Sequence, residues 1–379
     1  MNRRFGHARA TRDVAEGVIV RLRFGDLEGI GEGVPRDYVT GESPATAFDA
    51  LAALDLAPLR EVLDAGAWER SVPLLEALDL PARLRQGDRP GLSAACALEL
   101  AVLDLLGKRL GAPLREAAGA LDLPPALLAD GRAPHRFSRT LDSSKEPASV
   151  FGPGDLAVYA VLKVKVGLGA EVDVARVRAA RDVVGPDFTL CVDGNMAWSL
   201  DEACRMVDAL APFSIAWFEE PLARGAYPDY ATLRRRTGAR IMLDESLCGP
   251  RDADAALELG ACDLFNVRLS KHGGFIAALR LAARAAGHGI GVQLGTHPGA
   301  QALLRAAEWQ TMHTIGGLVA VEAARSNAWF AEELVAEPLE IDRAARRTRR
   351  LDGPGLGVTL IPERLERHTT RTASIEARR

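Results

Sequence analysis

The sequence predicts an α/β protein built on a modified (β/α)8 barrel, with a smaller α+β domain ahead of it. From about residue 134 onward, short apolar runs alternate with Ala/Arg/Leu-rich helical segments, which is the pattern of βαβ units and a parallel sheet. Eight such units fit into about 190 residues, which favours a closed barrel, with an open doubly wound sheet as the structural alternative. The predicted strands cover residues 135–140, 158–166, 188–193, 215–219, 240–244, 263–268, 290–295 and 317–322.

The chain has a different pattern on either side of the predicted barrel. Near the N-terminus, "GVIVRLRFGDLEGIGEGVP" alternates and turns like an antiparallel hairpin, and "SAACALELAVLDLLGKRLGAPL" predicts an amphipathic helix that ends at Gly111. Near the C-terminus, "LDGPGLGVTL" predicts a Gly/Pro loop that runs into a short extended segment. We therefore predict an α+β domain over 1–130, the barrel over 131–322, and a segment over 323–379 that packs back on the first domain.

Composition excludes several classes of protein. A net charge of −4 argues against a nucleic-acid surface, and the apolar runs are too short for a membrane span. The five cysteines show no paired spacing, which favours reduced thiols in a cytoplasm and argues against a structural zinc site. The start "MNRRFGHARATRD" lacks the apolar segment of a signal peptide.

The glycine-rich motif "GIGEG" is not followed by a βαβ unit, so we expect no dinucleotide-binding loop there.

The run "AVYAVLKVKVGLG", residues 157–169, places two lysines inside a predicted buried strand. Lys163 and Lys165 are two positions apart and therefore share one face. Only five of the 47 basic residues are lysines, so their use here is unusual. Arginine stays protonated, whereas a desolvated lysine can lose its proton and act as a base. The pair indicates acid/base chemistry.

The ends of successive predicted strands carry charged residues at intervals of one βα unit. Lys165, Asp193, Glu219, Asp244 and Arg268 end the second to sixth strands. In a barrel all five point into the C-terminal mouth, where barrel active sites lie. Three carboxylates that meet there repel one another without a cation, and an oxygen-only ligand set suits Mg²⁺. The alternative is that the three acids only cap the helices that follow.

Alternation along a strand predicts where the neighbours of these acids point. Asn195 lies two positions beyond Asp193, so we expect it to face the same way and assist the site. Glu220 and Glu245 directly follow strand-end acids, so we expect them to point away and pair with basic groups.

In that order, "KVK", "VDGN", "FEEP", "LDES" and "VRLSKHGG" resemble the muconate-lactonizing branch of the mandelate racemase/muconate lactonizing enzyme family, in the enolase superfamily. "GEGVPRDYVTGES" resembles that branch's capping domain, and "GPGLG" its closing segment. The resemblance implies Mg²⁺, with Mn²⁺ as an alternative ion, on Asp193, Glu219 and Asp244. It implies Lys165 as the acid/base lysine, with Lys163 lowering its pKa. Such enzymes abstract the proton α to a substrate carboxylate, and the metal stabilises the enediolate.

The resemblance also implies the surroundings of the site. "GIGEG" marks a mobile lid loop of the capping domain, the substrate is a small-molecule carboxylate, and the protein forms a homo-oligomer. The substrate contacts that it implies are Val34, Tyr38, Thr40, Thr140 and Asn195.

The sequence departs from the family pattern on the sixth strand, where the second lysine is replaced by Arg268. Arginine is a poor base but a good fixed cation, so we favour one-face chemistry with Lys165 as base: a lyase (dehydratase) or cycloisomerase step. One alternative is a racemase or dipeptide epimerase with Arg268 or His297 as second acid/base. The mandelate-racemase branch pairs such a histidine with an Asp, but residues 268–270 are Arg-Leu-Ser. Another alternative is a carboxylate- and metal-binding protein that has lost turnover.

Overall fold

The computed structural model describes residues 5–7, 10–12, 14–129, 133–152, 154–322, 330 and 332–377. Its strands are β1 Phe5–His7, β2 Ala10–Arg12, β3 Val18–Phe24, β4 Leu27–Gly33, β5 Ser138–Leu141, β6 Val161–Lys165, β7 Thr189–Asp193, β8 Ile215–Glu219, β9 Ile241–Leu243, β10 Leu264–Val267, β11 Gly291–Leu294, β12 Ala320–Val321, β13 Ile341–Asp342 and β14 Arg347–Thr348. Its α-helices are α1 Pro44–Ala52, α2 Leu59–Asp64, α3 Trp68–Ala77, α4 Leu80–Arg83, α5 Leu92–Leu110, α6 Asp155–Val158, α7 Ala170–Val184, α8 Leu200–Leu210, α9 Tyr227–Thr237, α10 Pro250–Glu258, α11 Leu269–His272, α12 Phe275–Gly287, α13 Ala302–Met312 and α14 Pro362–His368.

A parallel eight-stranded sheet forms the barrel. Strands β5 to β12 pair in chain order, and a parallel bridge between Phe137 and Val321 joins the two ends of the sheet. Helices on the outside connect the strands, as right-handed βαβ crossovers require. The predicted barrel is confirmed. Seven of the eight predicted strands contain an observed one, and the first, 135–140, overlaps β5.

The inner face of the barrel changes character along the strands. At its N-terminal end an apolar cluster fills the interior: Val161, Cys191, Trp217, Met242, Leu264 and Ala320. Side chains alternate along a strand, so the residue two positions further on faces the same interior. In these six strands that residue is Lys163, Asp193, Glu219, Asp244, Asn266 and Glu322, respectively. A polar layer therefore lies directly on an apolar floor.

The antiparallel hairpin of β3 and β4 packs on α5 almost without side chains between them. A Cβ atom at Gly29, Gly31 or Gly33 would lie 2.0, 2.1 or 2.0 Å from a carbonyl oxygen of α5. The three glycines alternate, so they form one bare face of the strand. "GIGEG" is thus the buried end of β4, and the prediction of a mobile lid loop there is wrong.

Helix α5 is the central element between the hairpin and the barrel. All its residues from Leu92 to Gly107 are buried, so the prediction of an amphipathic helix is wrong. The reason is that the barrel covers its second face: Ile276 N, in α12, donates to Glu99 Oε1 at 3.1 Å. The helix ends at Gly111 as predicted, with a left-handed φ of 65°.

The C-terminal segment contacts this same unit. Leu114 N donates to Gly355 O at 2.7 Å, and Leu356 N donates to Asp104 Oδ1 at 2.7 Å. The residue boundaries of the three predicted domains stay a prediction. Across the described ranges, no helix is both long and apolar enough to cross a membrane.

We expect Gly31→Ala to lower the free energy of unfolding by at least about 2 kcal/mol. Its Cβ would lie 2.1 Å from the carbonyl oxygen of Ala97, and neither backbone can yield without separating strand and helix. Chemical denaturation monitored by circular dichroism measures the change. Gly119→Ala is the matched control, because a Cβ at that position would meet no atom within 4 Å; equal effects of the two substitutions would contradict the close packing.

Candidate active site

A layer of buried charges lies at the C-terminal mouth of the barrel. Asp193, Glu219 and Asp244 are each 0% exposed, although they end neighbouring strands or directly follow one. Carboxylates buried in this way need cations, because an unpaired buried charge is strongly unfavourable. The same face supplies four of them: Lys163, Lys165, Arg268 and Lys271.

Lys163 is the cation at the centre of this layer. Its Nζ lies 3.2 and 3.1 Å from the two carboxylate oxygens of Glu219 and 3.5 Å from Asp193 Oδ2, and it also contacts Glu322 Oε1. Burial alone lowers the pKa of Lys163, but Glu219, Glu322 and Asp193 outweigh burial and raise it well above its ordinary value. Lys163 is therefore a fixed positive charge.

Lys165 lies one layer above, at the end of β6, and faces the cavity. Its Nζ is 2.5 Å from Asp193 Oδ2 and 2.8 Å from Asn195 Oδ1. Asn195 Nδ2 in turn donates to Glu245 Oε1 at 3.0 Å. Asn195 adopts a φ of 44°, a left-handed conformation that asparagine tolerates. The amide therefore holds the lysine amine from one side and Glu245 from the other.

Arg268 and Lys271 both bind Asp244. Arg268 Nη2 contacts Asp244 Oδ2 and lies 3.7 Å from Glu219 Oε1. Lys271 Nζ donates to Asp244 Oδ1 at 2.7 Å and to Asn266 O at 2.8 Å. Burial opposes the charge of Arg268, but Asp244 and the other acids raise its pKa above the ordinary value. The guanidinium keeps its proton and cannot serve as a general base.

The three acids that the sequence predicts as metal ligands differ in protonation. Burial raises the pKa of Glu219 to about 8, against the opposing charge of Lys163. Burial also disfavours the charged form of Asp244, but Arg268 and Lys271 outweigh burial and lower its pKa. Lys165 and Lys163 likewise lower the pKa of Asp193. Within the described ranges, no three His, Cys, Asp or Glu side chains are arranged to hold a metal ion.

His297 follows β11 and lines the same cavity. It is 2% exposed, and neither ring nitrogen has a hydrogen-bond partner among the described residues. Burial, together with the charges of Arg268 and Arg36, lowers the pKa of His297 well below its ordinary value. The imidazole is neutral and its nitrogens are available to a ligand.

A cavity of about 90 Å³ opens above the charged layer. Seven of the predicted site residues line it: Tyr38, Thr140, Lys163, Lys165, Asn195, Arg268 and His297. The two other predicted substrate contacts lie outside it. Val34 donates its N–H to Ser270 Oγ at 2.8 Å, and Thr40 Oγ1 donates to Arg36 O at 3.3 Å. Both are buried. Val34 lies where the N-terminal α+β domain meets the barrel, whereas Thr40 is bonded to its own connection.

Three acids of the cavity, Asp142, Glu245 and Glu322, were not identified as site residues from the sequence. Glu322 directly follows the eighth strand, and the same strand-end position that marked Asp193 could have found it. Glu245 was expected to point away, but it lines the cavity. Glu220 does point away, yet its partners are Tyr230 OH at 3.0 Å, Ser246 and backbone N–H groups, not basic groups. Side-chain alternation ends with the strand, so it did not predict the direction of Glu245.

Comparison with known proteins gives consistent matches. The sequence profile of the family described as "Enolase C-terminal domain-like" matches residues 154–364. Muconate cycloisomerase 1-2 of Acinetobacter lwoffii is 31% identical over 97% of this chain and 92% of its own length. D-Ala-D/L-Ala epimerase of Cytophaga hutchinsonii is 37% identical, but the match spans 36% of this chain and 37% of that protein.

A solved structure shows the same architecture over nearly the whole chain. The crystal structure of a dipeptide epimerase from Cytophaga hutchinsonii, complexed with Mg and the dipeptide D-Ala-L-Val, superimposes with a TM-score of 0.76. It is 25% identical, and the match covers 96% of this chain and 94% of that one. Members of this superfamily therefore bind Mg²⁺ in this fold.

We expect the imidazole of His297 not to titrate between about pH 5.5 and 8, where an unperturbed histidine does. Protonation would bury a positive charge beside Arg268 and Arg36. Nitrogen NMR of ¹⁵N-histidine-labelled protein measures the titration, with the signals assigned by their loss in His297→Gln. A midpoint near pH 6.5 would contradict the environment described above.

Proposed function

We propose that this chain, which belongs to the mandelate racemase/muconate lactonizing enzyme family of the enolase superfamily, enolises a small carboxylate substrate with Lys165 as its acid/base group. The contrast between Lys165 and Arg268 carries the proposal. Both face one cavity, but only an amine can release and accept a proton at a usable pH. Two other lysines line the cavity, but the raised pKa of Lys163 keeps its proton in place and Lys145 is paired with Asp142. Lys165 as acid/base group opposite a fixed arginine favours a lyase or cycloisomerase step that begins and ends on one face of the substrate.

We propose Asp193, Glu219 and Asp244 as the ligands of Mg²⁺. Their oxygens form the hard donor set that Mg²⁺ prefers. Burial, and after it the charges of the neighbouring acids, raises the pKa of Glu219 to about 8, and a bound cation would offset both effects. When bound, the ion would supply positive charge for the carboxylate of an enolised substrate. Of the cations that now pair with these acids, Lys165 has another partner in the layer, Asn195.

Each basic residue has a distinct proposed role. Lys165 removes the α-proton and can return a proton on the same side. Lys163 stays charged and holds Glu219, Asp193 and Glu322 in place. Arg268 supplies a fixed positive charge on its side of the cavity, suited to a developing enolate or a carboxylate.

Epimerisation with His297 as the second acid/base is the competing proposal. Its support is that His297 shares the cavity with Lys165 and has two ring nitrogens without partners among the described residues, and that the relatives include epimerases. Against it stands the lowered pKa of His297, which makes the imidazole a weak base. The predicted cytoplasmic location and homo-oligomeric assembly stay predictions.

Glu219→Gln should weaken the binding of Mn²⁺, used here as a paramagnetic probe, at least about tenfold. The amide loses the negative charge that the metal needs while keeping the shape of the side chain. Electron paramagnetic resonance of free Mn²⁺ measures the affinity. Glu171→Gln, at an exposed position of α7, is the matched control. Unchanged binding in Glu219→Gln would remove this residue from the ligand set.

The wild-type protein with Mg²⁺ should exchange the α-proton of at least one carboxylate for deuterium in D₂O. The panel comprises amino acids, dipeptides, N-acylated amino acids, sugar acids and muconate-like acids, and NMR measures the exchange. Lys165→Ala and Lys165→Arg should both slow exchange at least about 100-fold, because the second variant keeps the charge but not the base. Full exchange in Lys165→Ala would overturn the proposal.

The configuration at the α-carbon after exchange distinguishes one-face chemistry from epimerisation. Wild-type exchange with retention supports one-face chemistry, and inversion supports a second acid/base. Arg268→Lys restores an amine on the sixth strand and should add inversion to an enzyme that otherwise retains configuration. Tight Mn²⁺ binding without exchange of any compound would favour the remaining alternative, a binding protein that has lost turnover.

A further inference from the structure

The cavity contains buried polar atoms that have no partner among the residues that the structure describes. In folded proteins nearly all buried polar groups are hydrogen-bonded, so exceptions inside a cavity point to a ligand. Here the exceptions include both ring nitrogens of His297 and Ser138 Oγ, none of which has a partner among the described residues. Both residues line the cavity, and both are more than nine-tenths buried.

These atoms lie in one sector of the barrel mouth. Ser138 belongs to β5 and His297 follows β11, and β12 joins these two strands around the barrel. Thr140 and Thr296 line the cavity from the same sector. The sector also carries two acids, Glu322 after β12 and Asp142 after β5, but these are paired with Lys163 and Lys145. The groups of this sector that lack partners among the described residues are therefore neutral.

The chemistry of a neutral imidazole limits what it can recognise. It offers one N–H donor and one acceptor nitrogen. A hydroxyl or a primary amide can both donate and accept, so either matches it. A carboxylate only accepts, an ammonium only donates, and a hydrocarbon would leave both nitrogens buried without partners, which is unfavourable.

The domain that covers the barrel mouth holds this imidazole in place. Arg36, which is 1% exposed, donates from its guanidinium to the carbonyl oxygen of Pro298, next to His297, and to Pro35 O at 2.6 Å. Gly299 has a φ of 96°, and a Cβ there would lie 3.1 Å from Arg36 Nη2. Arg36 is thus a positioning residue for the turn that carries His297.

We infer that the substrate carries a neutral polar substituent, a hydroxyl or an amide, and that His297 recognises it by hydrogen bonding. The inference rests on the proposed function, since it concerns the same cavity. It identifies the substrate as a small polar carboxylate and excludes one with a hydrocarbon side chain in this sector.

Isothermal titration calorimetry in the presence of Mg²⁺ tests the inference with matched ligands. The pairs are lactate and propionate, malate and succinate, and succinamate and 4-methylpentanoate. In at least one pair the wild-type protein should bind the polar member at least about tenfold more tightly. His297→Leu should reduce that ratio to below about threefold, chiefly by weakening the binding of the polar member.

Two further variants separate recognition from folding. His297→Gln keeps a donor and an acceptor and should retain most of the preference, and Gly299→Ala, which displaces the turn, should lose part of it. The inference is overturned if no polar ligand is preferred by the wild type, or if the preference survives in His297→Leu. Binding requires no turnover, so failure of α-proton exchange leaves this result intact. If the protein exchanges α-protons but does not prefer the polar member of any pair, only the proposed role of His297 is overturned.

Discussion

The structure depends on the neutralisation of charges buried inside the barrel. Four carboxylates face the interior at the level where the apolar floor ends, and none could stay ionised there alone. Lys163 contacts three of them at once, and Arg268 with Lys271 neutralises Asp244. Such a layer is stable only as a set, because removal of one member leaves another charge unpaired. The need to pair buried charges also brings lysine, arginine and carboxylate side chains together at the barrel mouth.

The two-residue repeat of β-strands explains why the barrel and much of the site could be predicted. Asp193, Glu219 and Asp244 occur at strand ends one βα unit apart, and the parallel sheet brings strand ends together. The same rule placed Lys163 and Lys165 on one face. Glu322 followed the rule as well, but its strand has only two residues and gave a weak signal.

The sequence did not predict contacts that depend on how elements approach one another. The glycines of β4 resemble a flexible segment because glycine is common in loops. Only the distance to the carbonyl oxygens of α5 shows that they allow close packing. Val34 and Thr40 lie close in sequence to Tyr38, which lines the cavity, but Val34 bonds to Ser270 of the barrel and Thr40 to Arg36 of its own connection. Glu245 lies after a strand, where turn geometry and not alternation sets its direction.

The complete burial of α5 has a mechanical consequence. The helix is fixed to β4 by backbone contact and to α12 through Glu99, so the hairpin domain and the barrel share one continuous core. Rotating the two apart as rigid bodies would expose the barrel-facing side of a 19-residue helix to water. Ligand exchange must therefore proceed by local rearrangement of the short connections at the mouth, such as 35–42 and 296–300. The stiffness of those two connections, and not a hinge between domains, then sets how fast the cavity fills and empties.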